Sequence, residues 1–132
     1  MVRLSTSSRE DKIMTGQRII LAIAGLWGLT GVIMLAAGSH PPQTGNLAVG
    51  GQFLLFHAAA VIGLLSTVLI TGWRRALPLS LLLTGSGVFA LEILIHSLAG
   101  IIIPGLAPIG GTIAILGWLA VVIGALIDPS KT

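Results

Sequence analysis

The chain of 132 residues has no cysteine, and only 8% of its residues are charged. Without cysteine there is no disulfide, no thiolate metal site and no thiol nucleophile. An ordinary soluble domain carries about 25% charged residues. So small a charged fraction cannot cover a surface that faces water, which excludes a normal soluble globular domain. What fills the chain instead is apolar: 55% of it is hydrophobic, with a mean hydropathy of +1.04. The basic pI near 10.8 rests on only seven Lys and Arg. They are dispersed and lack interleaved aromatic residues, so no nucleic acid partner is expected.

The placement of the charges is informative. Arg3, Arg9, Glu10, Asp11, Lys12 and Arg18 lie in the N-terminal segment, Arg74 and Arg75 form a central pair, and Asp128 and Lys131 close the chain. Residues 19–73 carry no charge, and residues 76–127 carry only Glu92. A spanning helix needs about 20 apolar residues, so each stretch holds two spans and a turn. The first is broken by Gly38-Ser39-His40-Pro41-Pro42-Gln43-Thr44-Gly45-Asn46, the second around Pro104-Gly105-Leu106-Ala107-Pro108. The expected spans are 18–38, 52–72, 76–98 and 107–127. Residues 1–17 are expected to form a polar tail, flexible or lying on the membrane surface, and residues 128–132 a short second tail. Backbone groups inside a bilayer must bond internally, which makes the spans helices. The predicted fold is therefore all-α, an integral membrane four-helix bundle. Pro108 suits the first turn of the fourth helix, where its missing N–H costs little. The first apolar run exceeds the roughly 7–15 residues of a signal-peptide core and is expected to stay as a span.

All seven basic residues fall in the two tails and in the loop between the second and third spans. The positive-inside rule puts those three segments, and so both termini, in the cytoplasm. The basic residues near the first helix can also meet anionic lipid headgroups. Because lipid gives no hydrophobic drive for helix association, small residues mark the contacts. Ala24 and Gly28, Ala59 and Gly63, and Gly117, Ala120 and Gly124 repeat at helical spacing. Gly28, Gly63, Gly117 and Gly124 are thus the expected packing positions. Trp27 is expected to pack within the bundle, and Trp73 beside the arginine pair to anchor at the interface.

Four polar residues could carry chemistry: His40, His57, Glu92 and His96. The topology puts all four toward the non-cytoplasmic side. His57 is expected five residues into the second helix, about 8 Å deep. Glu92 and His96 are i,i+4 and share a face. An ionised Glu in lipid costs about 2.5–3.5 kcal/mol, so Glu92 should face the bundle, be protonated or pair with His96. Three roles are open. Glu92 and His96 could serve a small proton- or ion-coupled transporter. His57 and His96 could bind haem, a pigment or a metal. Or a neighbouring helix or loop carbonyl satisfies each side chain. The residues name no cofactor and form no recognisable metal motif. No nucleophile sits beside a base in a known pattern, and no Walker loop, H-E-x-x-H or G-x-S-x-G occurs, so no enzyme is expected. Small size, little mass outside the membrane and small-residue faces favour an accessory or structural subunit of a larger membrane complex, respiratory or photosynthetic. Its expected partners are the lipid bilayer and other membrane subunits or a second copy.

Several short motifs occur in a fixed order. Helix 1 ends Ala37-Gly38-Ser39-His40, helix 2 carries Phe56-His57, and Pro108-Ile109-Gly110-Gly111 precedes Gly117-Trp118. Together they resemble the small four-helix membrane proteins of the "domain of unknown function 423" class, the YgdD-like proteins, over about residues 18–127. The resemblance implies four spans and a multi-pass place in the bacterial inner (cytoplasmic) membrane. It implies no biochemical activity. In helix 3, where those proteins usually show Ser-Gly-Ser-Leu-Tyr, this chain reads Ala90-Leu91-Glu92-Ile93-Leu94. Glu92 and His96 thus mark a divergent member.

Overall fold

A computed structural model describes the backbone of residues 2–40 and 46–127, with side chains from residue 6 onward. The Pro41-Pro42 part of the first loop and the tail at 128–132 lie outside the described residues. Four helices follow in order: α1 Val2–Gly38, α2 Asn46–Ser66, α3 Trp73–Ala99 and α4 Leu106–Leu126. Each contains a stretch long and apolar enough to cross a membrane. Among the described residues there is no strand.

The third and fourth helices begin and end within a few residues of expectation. Pro108 sits in the first turn of α4, after Gly105 at its N-cap. The first two helices depart from it. The segment expected as a polar tail is helical, so α1 is one helix of 37 residues. At 1.5 Å per residue that is about 55 Å, against about 30 Å of hydrocarbon core. The turns before Arg18 therefore project beyond the apolar part of the bundle. Arg, Glu, Lys, Met and Gln there are good helix formers, and no proline interrupts them.

The second helix was expected at 52–72 and lies at Asn46–Ser66. The start expected at 52 leaves out Gly50-Gly51, which sits inside α2. A Cβ on Gly51 would stand 2.6 Å from the carbonyl oxygen of Gly31, and one on Gly50 would stand 2.6 Å from Met34 Cε. Glycine is needed at these positions for close approach, not for flexibility. At its other end α2 stops before Val68-Leu69-Ile70, where the chain bends and Ile70 is buried. Gly72, at φ 60°, then opens α3.

α1 packs against α2, and α3 against α4, as two helical hairpins joined mainly through α2 and α3. α1 barely meets α3. Among the described residues the backbones of α1 and α4, and of α2 and α4, do not meet. The bundle is therefore open, and a groove runs between α1 and α3. Two apolar cores fill the joint. One gathers Ala24, Val61, Leu79, Leu82 and Leu83, the other Met34, Leu47, Leu54 and Ala90, and Trp27 packs against both.

The expected glycine contacts divide. A Cβ on Gly117 would meet Leu82, one on Gly124 would stand 2.9 Å from Arg74 O, and one on Gly28 would lie 4.0 Å from Ala58 Cβ. Gly63 is a correction: among the described residues nothing stands within 4 Å of its missing Cβ, so it is no packing position between these helices. Its face of α2 points away from both neighbouring helices.

The arginine pair closes one end of the bundle. The last carbonyls of a helix have no partner within it and form its negative pole. Arg74, buried, donates through Nη1 to Gly124 O at 3.2 Å and Ile127 O at 2.8 Å, closing α4. Arg75 Nη1 donates to Leu65 O and Thr67 O, both at 3.4 Å, closing α2. Pro78 has no N–H to offer Arg74 O, the carbonyl one turn before it. Gly124 packs close to that carbonyl, where a Cβ would stand 2.9 Å from the oxygen.

Candidate functional site

His57 is one of α2's buried residues. It lies eleven residues from the start of α2, about 17 Å along the helix rather than the 8 Å expected, because α2 begins earlier. Its ring is held on both sides. Nδ1 bonds Phe53 O at 2.6 Å, and Trp118 Nε1 donates to Nε2 at 3.3 Å. An indole N–H can only donate, so Nε2 is the acceptor and Nδ1 carries the hydrogen. Both nitrogens are engaged, leaving no lone pair for a metal or a haem iron in this arrangement.

A row of rings passes through this histidine. Phe89 of α3 lies 4.3 Å from Phe53 of α2, Phe53 lies 4.3 Å from His57, and His57 lies 6.1 Å from Trp118 of α4, centroid to centroid. The row ties α2 to α4, whose backbones do not meet. The ring stacked on His57 is therefore Phe53, one turn before it, and not its neighbour Phe56. Phe56 is 69% exposed and points out of the bundle.

Glu92 is 6% exposed, yet it makes no hydrogen bond or ion pair among the described residues, with His96 or any other. Its place follows from the packing of α3. Arg74 meets Gly124, Leu82 meets Gly117, Gly85 meets Ala114 and Phe89 meets Gly110, so this face of α3 is the α4 face. Continuing that face by helical repeat brings Glu92 level with the first turn of α4. There Leu106 N already donates to Ile103 O at 3.2 Å and Pro108 has no N–H, so the helix chiefly offers the positive end of its dipole. The N-cap Gly105 supplies no side-chain bond of its own. A carboxylate in that place gains about 0.3–1 kcal/mol from the dipole.

The four polar residues do not form one cluster. Phe53 is level with Phe89, and Gly50 packs against Ile93. In that register His57 stands about three turns from His96, roughly 16 Å along the bundle, so the two cannot share a ligand. His96 is half-buried near the end of α3, where its carbonyl accepts from Gly100 N at 2.9 Å. His40 is exposed just past α1, with its N–H on Ala37 O at 3.3 Å. No group of three or more His, Asp or Glu able to hold a metal occurs among the described residues.

Sequence reasoning missed Phe53, Trp118 and the capping role of the arginine pair. The i,i+4 spacing of Phe53 and His57 was a usable signal. Trp118, on a different hairpin, stood out only as part of the Gly117-Trp118 element, with nothing to pair it with His57. Compared with protein-family models, with curated proteins and with solved structures, the chain gives no match.

Proposed function

We propose that this small membrane protein is a non-enzymatic accessory or structural subunit of a larger membrane complex, respiratory or photosynthetic in kind, or of an assembly of its own copies. The observation that supports this reading is the open bundle, in which α1 and α4 do not close on each other. Among the described residues nothing lies within 4 Å of a Cβ at Gly25 on α1, Gly63 on α2 or Gly111 on α4, although other glycines of the same helices are tightly packed. Small residues on an outer face let a further helix come close in lipid. We place the arginine-capped end in the cytoplasm, and the chain in the bacterial inner membrane as a divergent relative of the YgdD-like proteins.

Purification from native membranes in mild detergent, with cross-linking and mass spectrometry, tests this. A stable partner or a second copy is expected. A free monomer of 13.5 kDa would overturn the reading. Gly25→Leu and Gly63→Leu should release the partner while leaving the helicity of the isolated chain unchanged.

One observation favours a second reading, a small proton- or ion-coupled transporter: Glu92 lies in a span at 6% exposure, has no hydrogen bond among the described residues, and its carboxylate oxygens still reach the accessible surface. Glu92→Gln in liposomes should then abolish proton-coupled flux, and unchanged flux would remove the reading.

A further inference from the structure

The groove between α1 and α3 is divided by Trp27. Its indole N–H donates to Leu83 O at 3.0 Å. Gly87 makes room for the ring, since a Cβ there would stand 2.6 Å from Trp27 Cζ2. On one side of the indole is a cleft of about 380 Å³, lined among others by Trp27, Thr30, Leu54, Thr84, Ala90 and Leu94. On the other side, toward the arginine pair, a second cleft of about 340 Å³ runs past Ile20, Ile23 and Leu79 and shares Trp27 and Thr84 with the first. Both volumes are in the range of small-ligand sites.

The first cleft is apolar except for two hydroxyls, those of Thr30 and Thr84, and the second adds only Ser80, whose hydroxyl donates to Ala76 O at 2.7 Å. A Ser or Thr inside a helix commonly donates to the carbonyl one turn back. Ser66, Ser80, Ser86 and Thr112 do so, at 2.7–2.9 Å. Thr30 and Thr84 make no hydrogen bond among the described residues. Ser97, near the C-terminal end of α3, is in the same state but lines neither cleft. The two threonines come from different helices and line the same cleft beside the same indole.

Their depth narrows what they can bind. Thr30 lies twelve residues from Arg18 and Thr84 nine from Arg75, about 18 and 14 Å along the helices. In a hydrocarbon core of about 30 Å both are near the midplane. Phospholipid headgroups and ester carbonyls lie far from there, and an acyl chain accepts no hydrogen bond. The ligand that fits is a flat apolar ring with carbonyl oxygens, carrying an apolar tail. We propose that the α1–α3 groove binds an isoprenoid quinone. Its ring carbonyls accept from Thr30 and Thr84, its ring lies against Trp27, and its tail runs into the Ile20–Leu79 cleft. This does not depend on the subunit reading and is testable on the isolated chain.

The probe is decylubiquinone in phosphatidylcholine–phosphatidylglycerol vesicles, and the readout is Trp27 fluorescence in a W73F/W118F protein. Saturable quenching is expected. T30V/T84V, nearly isosteric, should weaken the apparent affinity about tenfold, the scale of two neutral hydrogen bonds, while T30S/T84S keeps it. Decylbenzene, with the same tail and no carbonyl, should not compete. Quenching that rises linearly with the probe and is unchanged in T30V/T84V would overturn the proposal. So would equal competition by decylbenzene, which would show a cleft that takes any apolar chain. Should W73F/W118F lose the native helicity, thermal unfolding of the chain with its own tryptophans decides the matter. Decylubiquinone should then raise the midpoint, and in T30V/T84V it should not; an equal rise in both sinks the idea.

Discussion

In the α1–α2 hairpin, Gly31 and Gly51 face each other so closely that a Cβ on either would stand 2.8 or 2.6 Å from the other's carbonyl oxygen. In the α3–α4 hairpin, Gly85 and Gly110 repeat the arrangement at 2.7 and 2.8 Å. Each hairpin is thus locked backbone to backbone. Between the hairpins no such reciprocal pair occurs among the described residues. The joint is made of side chains: Gly50 against Ile93, Phe53 against Phe89, Trp27 to Leu83 O and Trp118 to His57. Backbone contact in lipid leaves little room to adjust, whereas side chains can change rotamer. The α1–α3 groove and the His57 ring row both belong to the joint. His57, Thr30 and Thr84 therefore sit where the fold has most freedom, whereas Glu92 faces α4 within a locked hairpin.

The largest effects should come from forcing the hairpins open. Gly51→Leu and Gly110→Leu each drive a side chain into backbone atoms of the facing helix. Overpacking of this kind costs about 1–3 kcal/mol in an adjustable core and more where backbone is the obstacle. Both variants should lower the thermal unfolding midpoint in detergent more than any single side-chain deletion at the joint. If only one of them does so, the likeness between the hairpins is broken.

The arginine pair sharpens the comparison because its two members fall on different sides of it. Arg74 ties α3 to α4 within a hairpin, and Arg75 ties α3 to α2 across the joint. Hydrogen bonds to charged groups contribute about 1.5–3 kcal/mol, and removing Arg74 leaves buried carbonyls of α4 without their donor. Arg74→Met should therefore destabilise by about 2–3 kcal/mol and speed amide exchange in the last turn of α4. Arg75→Met, losing two bonds at 3.4 Å, should cost less than about 1 kcal/mol. Equal losses would mean that these arginines act through their charge and not as caps.

Charges and prolines made much of this architecture legible in advance. They delimit α3 and α4 to within a few residues, because Arg74-Arg75 and Pro104 to Pro108 bound stretches that hold one charge. They failed at Gly50-Gly51. A glycine pair states only that no side chain is present, and whether that serves a bend or a close approach depends on the helix facing it. The same limit hid the arginine caps, since nothing in residues 74 and 75 says that α2 and α4 end beside them. The burial of Glu92 was readable from its cost in lipid. The Trp118–His57 bond was not, because it spans 61 residues and depends on how α4 is rotated.

That bond is the test of the joint itself. Trp118→Phe and His57→Phe each remove one partner, and a double-mutant cycle isolates their coupling. A neutral hydrogen bond predicts about 0.5–1.5 kcal/mol. Trp27→Phe should cost a similar amount, since Leu83 O keeps a second donor in Ser86 Oγ at 3.2 Å. A coupling near zero would mean that the ring row, and not the hydrogen bond, holds α2 to α4.

The smallest effect separates glycines that lock a hairpin from glycines that do not. Alanine is favoured over glycine within a helix by roughly 0.5–1 kcal/mol where nothing obstructs its methyl group. Among the described residues nothing lies within 4 Å of that position at Gly25 or Gly63. Gly25→Ala and Gly63→Ala should therefore leave the isolated chain as stable as before, or slightly more so. The same one-methyl change at Gly51 meets the Gly31 carbonyl oxygen and must destabilise. Opposite signs for one substitution on one helix, at Gly51 and Gly63 of α2, would show that contact geometry and not helix propensity sets the value of a glycine here. Were Gly63→Ala to destabilise the purified chain, that face of α2 would be packed against a second copy already in detergent.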